Sequence, residues 1–150
     1  MSDFEREIVD CLNRFFKTHH IPGFAHRTRQ QKSTNPCVDV LVDSPNPLYC
    51  LSLECKSIID KKLYFSQHFH TGKDHVHPVD AISGFLDETG RTGYLAIEFR
   101  QGPVKAGEAF LIPWITVVGH FHSGTGITVD DARACIALTR SKEGYVLERL

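Results

Sequence analysis

CVDVLV at residues 37–42 and LYCLSLECK at residues 48–56 are the two apolar stretches that decide how this chain folds. Both are short and rich in β-branched or aromatic residues, so each predicts a β-strand. Asp39 lies within the first, and the second ends with Glu54 and Lys56. Residues two apart in a strand face the same side, so Glu54 and Lys56 should point together. A proline-containing turn between the strands favours an antiparallel pair, which brings Asp39 near Glu54 if the register allows it.

These charged side chains have the chemistry needed to cut a phosphodiester. Placing a carboxylate such as Asp39 among Val, Leu and Cys costs free energy unless it is paired or bound to a metal. Acidic oxygens on neighbouring strands can hold Mg²⁺ or Mn²⁺, and a lysine beside them can orient water or stabilise phosphate charge. The pattern therefore predicts a hydrolytic site. The ordinary alternative is the solvent face of a half-buried sheet, where charged residues also alternate.

Composition limits the class of protein. The 150 residues, 41% of them apolar, predict a single domain over residues 1–150 with a real core. A formal charge of −1 argues against binding nucleic acid through overall charge alone. The five cysteines form no C-x-x-C motif, so we expect reduced thiols and a cytoplasmic protein. No signal peptide or membrane-spanning stretch is expected, because no apolar run approaches 18 residues.

The chain before the two strands predicts a helix, a strand and a polar loop. Residues 3–18 carry an apolar stripe at helical spacing. Glu5 either completes a capping box with Ser2 or reaches a site beside the sheet from the edge of that stripe. Residues 24–29 alternate like a strand. The loop 30–36 suits either phosphate contacts or an ordinary solvated connection.

The remaining elements predict an α/β fold. In chain order they are a helix at 78–89 begun by Pro78, strands at 92–99 and 108–114, a helical turn at 115–120, a helix at 129–138 capped by Thr128, and a final strand at 145–149. The order α-β-β-β-α-β-β-(α)-β predicts a mixed central β-sheet flanked by helices.

Residues 57–77 contain the least regular pattern in the chain. His68, His70, His75 and His77 invite a zinc hypothesis, although H-x-H…H-x-H without a nearby cysteine is not a standard structural zinc spacing. Surface or DNA-contacting histidines are the alternative. A His-rich metal-binding protein therefore stays one of the candidate functions.

The motifs in order resemble the PD-(D/E)xK nuclease superfamily, which has the restriction-endonuclease-like fold. Within it, the chain resembles archaeal-type Holliday junction resolvases and the related RecU group. The resemblance covers residues 3–99. It rests on EREIV at 5–9, an arginine-bearing strand with Arg27 or Arg29, the polar loop 30–35, PCVDV at 36–40 and ECK at 54–56.

The resemblance implies a set of roles. Asp39 and Glu54 would bind Mg²⁺, for which Mn²⁺ substitutes, and Lys56 and Glu5 would complete the catalytic set. The DNA-binding residues it implies are Arg27, Arg29, Lys32, Ser33, Lys61 and Gln67. Members of the superfamily often place a glutamine on the helix after E-x-K; here Gln67, His77 or neither takes that role.

These observations lead to ranked functions. The first is a metal-dependent endonuclease that cuts branched DNA as a homodimer, with the four-way junction as its partner. The same chemistry on another DNA is the nearest alternative, and the long 57–77 interval and near-neutral charge leave that choice open. A non-catalytic DNA-binding module on the same scaffold is the third. Residues 110–114 are either an apolar dimer surface or a buried central strand.

Overall fold

The structure is a computed structural model that describes residues 3–28, 38–102 and 107–150. Within these ranges the elements in chain order are α1 (Asp3–Thr18), β1 (Phe24–Arg27), β2 (Val40–Asp43), a 3-10 turn (Pro47–Tyr49), β3 (Leu51–Ile58), β4 (Lys62–Leu63), α2 (Phe65–His68), α3 (Pro78–Thr89), β5 (Thr92–Phe99), β6 (Glu108–Pro113), α4 (Trp114–His122), β7 (Ile127–Thr128), α5 (Val129–Arg133), β8 (Ile136–Ser141) and β9 (Gly144–Val146).

A central mixed sheet organises the described part of the chain. Its strand order is β1-β2-β3-β5-β6-β8-β9. β3 and β5 pair in parallel, and the other neighbours pair antiparallel. β4 and β7 form a separate two-stranded ribbon. The predicted fold class, a mixed central sheet flanked by helices, is therefore correct.

Each face of the sheet has its own apolar core. The stripe predicted for residues 3–18 is the buried face of α1, which packs on one side against residues such as Leu53 and Cys55. α3, α4 and α5 pack on the other side, around residues such as Ile97 and Val117. Because alternate residues of β3 face opposite sides, Cys55 points to α1 while Glu54 and Lys56 point to the other side.

The structure corrects the predicted C-terminal part. The helix predicted at 129–138 ends at Arg133, and β8 follows it and pairs with β6. Thr128 does cap this helix as predicted, and the structure adds a capping box between Thr128 and Asp131. The apolar residues after it reach an open edge of β6, and this long-range pairing overrides the local helical pattern.

Apart from the half-buried Pro113, the run 110–114 is buried, so it is not an exposed dimer surface. Phe110, Leu111 and Ile112 lie in β6 between two other strands, and Trp114 begins α4. The sequence had left this choice open. The ribbon of β4 and β7 and the short α2 were not predicted, because two- to four-residue elements carry too little periodicity to detect. Among the described residues, no helix is long and apolar enough to cross a membrane.

Two glycine substitutions test how α3 and α4 pack on the sheet. A Cβ at Gly93 would lie 2.4 Å from Leu86 Cδ1 and 3.0 Å from Trp114 Cβ. We therefore expect Gly93→Ala to lower the free energy of unfolding by about 1 to 3 kcal/mol through overpacking. Gly84→Ala, in α3 with nothing within 4 Å, should raise it by about 1 kcal/mol. Urea unfolding measures both, and equal effects would contradict the packing described here.

Candidate active site

The antiparallel register of β2 and β3 brings Asp39 to Glu54. Val40 is paired with Leu53, so Asp39, one residue before β2, lies beside Glu54. The Asp39 amide donates to the Leu53 carbonyl at 3.0 Å. The Cys55 amide donates to Asp39 Oδ2 at 2.8 Å. Backbone hydrogen bonds therefore hold the Asp39 carboxylate against the strand that carries Glu54.

Glu54 is a buried carboxyl group beside a second carboxyl group. Its side chain is 9% exposed. Burial raises its pKa well above the ordinary value, and its hydrogen bond to Asp39 and the Asp39 charge raise it further. Lys56 and the Cys55 amide lower this pKa without offsetting those causes. The raised pKa therefore favours the protonated form of Glu54 over a wider pH range than for an ordinary glutamate.

Glu5 joins this pair from α1. Arg27 Nη2, at the end of β1, lies 3.2 Å from Glu5 Oε2. Burial and then the Asp39 charge raise the pKa of Glu5, and Arg27 lowers it. Glu5 is therefore close enough to Asp39 to feel its charge. The alternative capping box needs Ser2, which lies outside the described residues.

The buried Cys55 thiol reports how compact the cluster is. Burial raises its pKa, and the charges of Asp39, Glu54 and Glu5 raise it further, while Lys56 lowers it. The charges of all four residues predicted as catalytic thus shift the pKa of one thiol, so the four side chains lie close to it. The structure brings these four side chains together from α1, from β3 and from the segment that precedes β2.

Lys56 is half-buried and lies against an aromatic ring. Its Nζ is 4.6 Å from the centre of the Phe69 ring. Phe69, just after α2, did not stand out in the sequence as a site residue. An aromatic residue in a loop gives no periodic signal that would show which side chain it covers.

The predicted DNA-binding residues have different surroundings. Arg27 is engaged with Glu5, whereas Lys61 is exposed and lines a cavity of about 830 Å³ beside the end of β3. Gln67 lies in α2 rather than on the long helix α3, and its amide donates to Asp60 at 3.4 Å. Arg29, Lys32 and Ser33 lie outside the described residues.

The histidines of residues 68–77 do not converge on one point. His68 contacts Asp60 at 3.1 Å, and His77 caps α3 by accepting a hydrogen bond from the Val79 amide at 3.1 Å. His70 and His75 are exposed. In the described ranges, no group of three or more His, Cys, Asp or Glu side chains is arranged to hold a metal ion. The geometry therefore gives the zinc hypothesis no support.

The donor set at Asp39 and Glu54 does fit a hard divalent cation. Mg²⁺ is commonly bound through one or two carboxylates, and it keeps several waters or takes phosphate oxygens for its other positions. Two adjacent carboxyl groups, one of them buried, repel each other when both are ionised, and a divalent cation between them relieves that repulsion.

Sequence reasoning did not single out Glu98, a second buried carboxyl group. It is 8% exposed at the end of β5 and accepts hydrogen bonds from Ser57 Oγ at 2.7 Å and from the Tyr145 hydroxyl. Like Asp39, it lies in an apolar run, so the same criterion could have found it. Both of its oxygens have protein donors, which gives Glu98 a structural role on the α1 side of the sheet.

Comparison with known proteins identifies the fold. No family model matches the chain, and no curated protein matches it in sequence. Among solved structures it is similar to Archaeoglobus fulgidus Hjc, a Holliday junction resolvase from an archaeal hyperthermophile. The two are 18% identical with a TM-score of 0.56, over 89% of this chain and 91% of that one. The restriction-endonuclease-like fold predicted from the sequence is thus confirmed.

The raised pKa of Glu54 predicts how stability depends on pH without divalent metal. Because the folded pKa lies above the unfolded value near 4.5, folding favours the protonated group. Its stabilising effect is complete below that pH and is lost as the pH rises toward the folded pKa. Glu54→Gln should therefore become more stable than the unchanged protein between pH 5 and 8, by up to about 1.4 kcal/mol per pH unit.

Urea unfolding in EDTA across this pH range measures the difference. Glu88→Gln, an exposed change near the end of α3, is the matched control and should follow the unchanged protein at every pH. A stability difference for Glu54→Gln that does not grow with pH would contradict the proposed protonation.

Proposed function

We propose that this protein is a metal-dependent endodeoxyribonuclease. The observation that carries the proposal is the pair of carboxyl groups of Asp39 and Glu54, one buried beside the other, with Lys56 two residues further along the same strand. Burying adjacent acids costs stability, and a folded core has no need of them. A phosphodiester-cutting site does need them, together with a cation and a lysine.

Asp39 and Glu54 would hold Mg²⁺, or Mn²⁺ in its place. When bound, the cation supplies Lewis-acid stabilisation of phosphate charge and lowers the pKa of a coordinated water. Asp39 is held ready for this by the Cys55 amide, so its carboxylate needs little reorganisation.

Lys56 and Glu5 would act beside that pair. The Lys56 ammonium can donate hydrogen bonds to the attacking water or to a phosphate oxygen, where it stabilises the negative charge that develops. Glu5 contributes a further acid next to Asp39, and Arg27 balances the charge of Glu5. Together these groups position the reactants and balance charge, which is the main task in phosphoryl-group chemistry.

A four-way DNA junction is the substrate we propose. The support is the likeness in fold to a Holliday junction resolvase across most of both chains. A homodimer follows from this substrate, because two strands must be cut at symmetry-related positions. Lys61, exposed beside the site strand, and Arg27, Arg29, Lys32, Ser33 and Gln67 are the residues we propose for contacts with the DNA.

Another DNA substrate remains the second candidate. β4, α2 and the loop before α3 lie on the face of the sheet to which Glu54 and Lys56 point. This segment adds bulk beside the site. If that bulk keeps a four-way junction out of the cleft, a narrower substrate such as a linear duplex or a single strand is favoured.

A cleavage assay tests the activity. An immobile four-way junction, a matched linear duplex and single-stranded DNA are each incubated with Mg²⁺ or Mn²⁺. We expect paired, symmetric nicks in the junction, and a loss of about a hundredfold or more in rate for Asp39→Asn and for Lys56→Ala. Lys142→Ala, an exposed lysine in the turn between β8 and β9, is the control and should cleave normally.

The outcomes of this assay separate the candidates. If junction and linear duplex are cut equally well, the proposed nuclease activity stands and the proposed specificity for junctions is wrong. If no DNA is cut and both site variants still bind the junction, the proposed enzymatic activity is wrong. The protein would then be a non-catalytic DNA-binding module.

Metal binding has a test that does not depend on activity. A saturating divalent cation that binds only the folded state should raise Tm by about 5 °C. Asp39→Asn should abolish this rise, since it removes one of two carboxylate ligands. Asp87→Asn, an exposed residue of α3, should leave the rise unchanged. Equal Tm shifts in all three proteins would place the cation elsewhere.

A further inference from the structure

A cluster of aromatic side chains covers the part of the sheet next to Lys56. It consists of Phe65, Phe69, His77 and Phe121. The ring centres lie 5.8 Å apart for Phe65 and Phe69, 5.3 Å for Phe65 and Phe121, 5.7 Å for Phe69 and His77, and 4.5 Å for His77 and Phe121. Each ring thus touches at least two others, so the cluster can hold a side chain in one orientation.

His77 fixes this cluster to the backbone. Its Nδ1 accepts a hydrogen bond from the Val79 amide at 3.1 Å, which caps α3. Its Nε2 lies 3.0 Å from the carbonyl oxygen of Phe65, in α2. Because both ring nitrogens are engaged, the imidazole joins the short helix to the long one. The chain between them, which carries Phe69, is held at both ends.

Phe69 is the member of the cluster that reaches the site. It is 3% exposed, and its ring face lies 4.6 Å from Lys56 Nζ. Within the described ranges Lys56 makes no ion pair with a carboxylate. The ring is therefore the contact that restrains its ammonium group. A cation over an aromatic face is attracted by the ring quadrupole, and more strongly where water is partly excluded.

We propose that Phe69 is a positioning residue for Lys56, holding the ammonium group toward the reacting phosphate through a cation–π contact. The inference rests on the proposed function, because it assigns Phe69 to the reaction through Lys56. It goes beyond that function by giving a role to the 57–77 interval. The competing explanation is that Phe69 only fills the core between α2 and the sheet.

Fluorinated phenylalanines separate these two roles. Replacing the Phe69 side chain with its mono-, di- and trifluorinated forms weakens the ring quadrupole stepwise with little change in size. We expect the single-turnover cleavage rate to fall with each fluorine, by about threefold to tenfold overall. DNA affinity should stay constant, since the ring contacts Lys56 and not the DNA. A rate that is independent of fluorination would overturn the proposal.

A second measurement does not involve cleavage. A proton above an aromatic face shifts upfield, so the ε-methylene protons of Lys56 should resonate upfield of those of exposed lysines in the metal-free protein. Phe69→Leu keeps an apolar side chain and should return them to the ordinary position. Tyr64→Leu, which removes a ring outside this cluster that lies over Lys62, should leave the Lys56 shift unchanged. Unshifted Lys56 protons in the unchanged protein would overturn the contact.

The two proposals fail in different ways. If the unchanged protein cuts no DNA, the proposed function falls, and the upfield shift still reports on the contact. If the protein cuts DNA and Lys56→Ala is inactive, but fluorination has no effect, the nuclease stands and Phe69 is only part of the core.

Discussion

The register between β2 and β3 is the constraint on which the site depends. It sets Val40 opposite Leu53 and so forces the carboxyl groups of Asp39 and Glu54 together. A shift of one residue would turn Glu54 and Lys56 to the α1 side and expose Leu53 and Cys55 to the other. The buried residues of β3 therefore act as a lock on the register. The free energy gained by packing the apolar core therefore outweighs the cost of holding two carboxyl groups next to each other.

The two faces of the sheet treat buried charge differently. On the α1 face, both carboxyl oxygens of Glu98 accept hydrogen bonds, one from Ser57 and one from Tyr145. On the other face, Glu54 meets another acid and has a raised pKa. A buried carboxyl group whose oxygens both accept hydrogen bonds can serve a structural role. A buried carboxyl group beside a second one is stabilised in its ionised form when a cation binds. This contrast is the physical reason for including Glu54, and not Glu98, in the proposed site.

Much of this could be predicted from sequence because the decisive signals are local. Each of these signals is contained in a short stretch of sequence. They are the apolar stripe of α1, the proline that starts α3 and the charged residues within apolar strands. β8 could not be predicted, since its reason for being a strand is the free edge of β6. Phe69 was missed for a similar reason. Its importance comes from a contact with Lys56 that crosses from a loop to a strand, and no pattern in the sequence records it.

The parallel pairing of β3 with β5 has a consequence for how this fold can vary. Parallel neighbours need a crossover connection, and here it contains β4, α2 and α3. Since the crossover leaves from the strand that carries Glu54 and Lys56, it must pass over the site before it returns to the sheet. Insertions or deletions in its first half would reshape the wall of the cleft and leave the sheet register and both acids in place. In the proposed nuclease, substrate specificity and chemistry would thereby be carried by separate, consecutive parts of one chain segment.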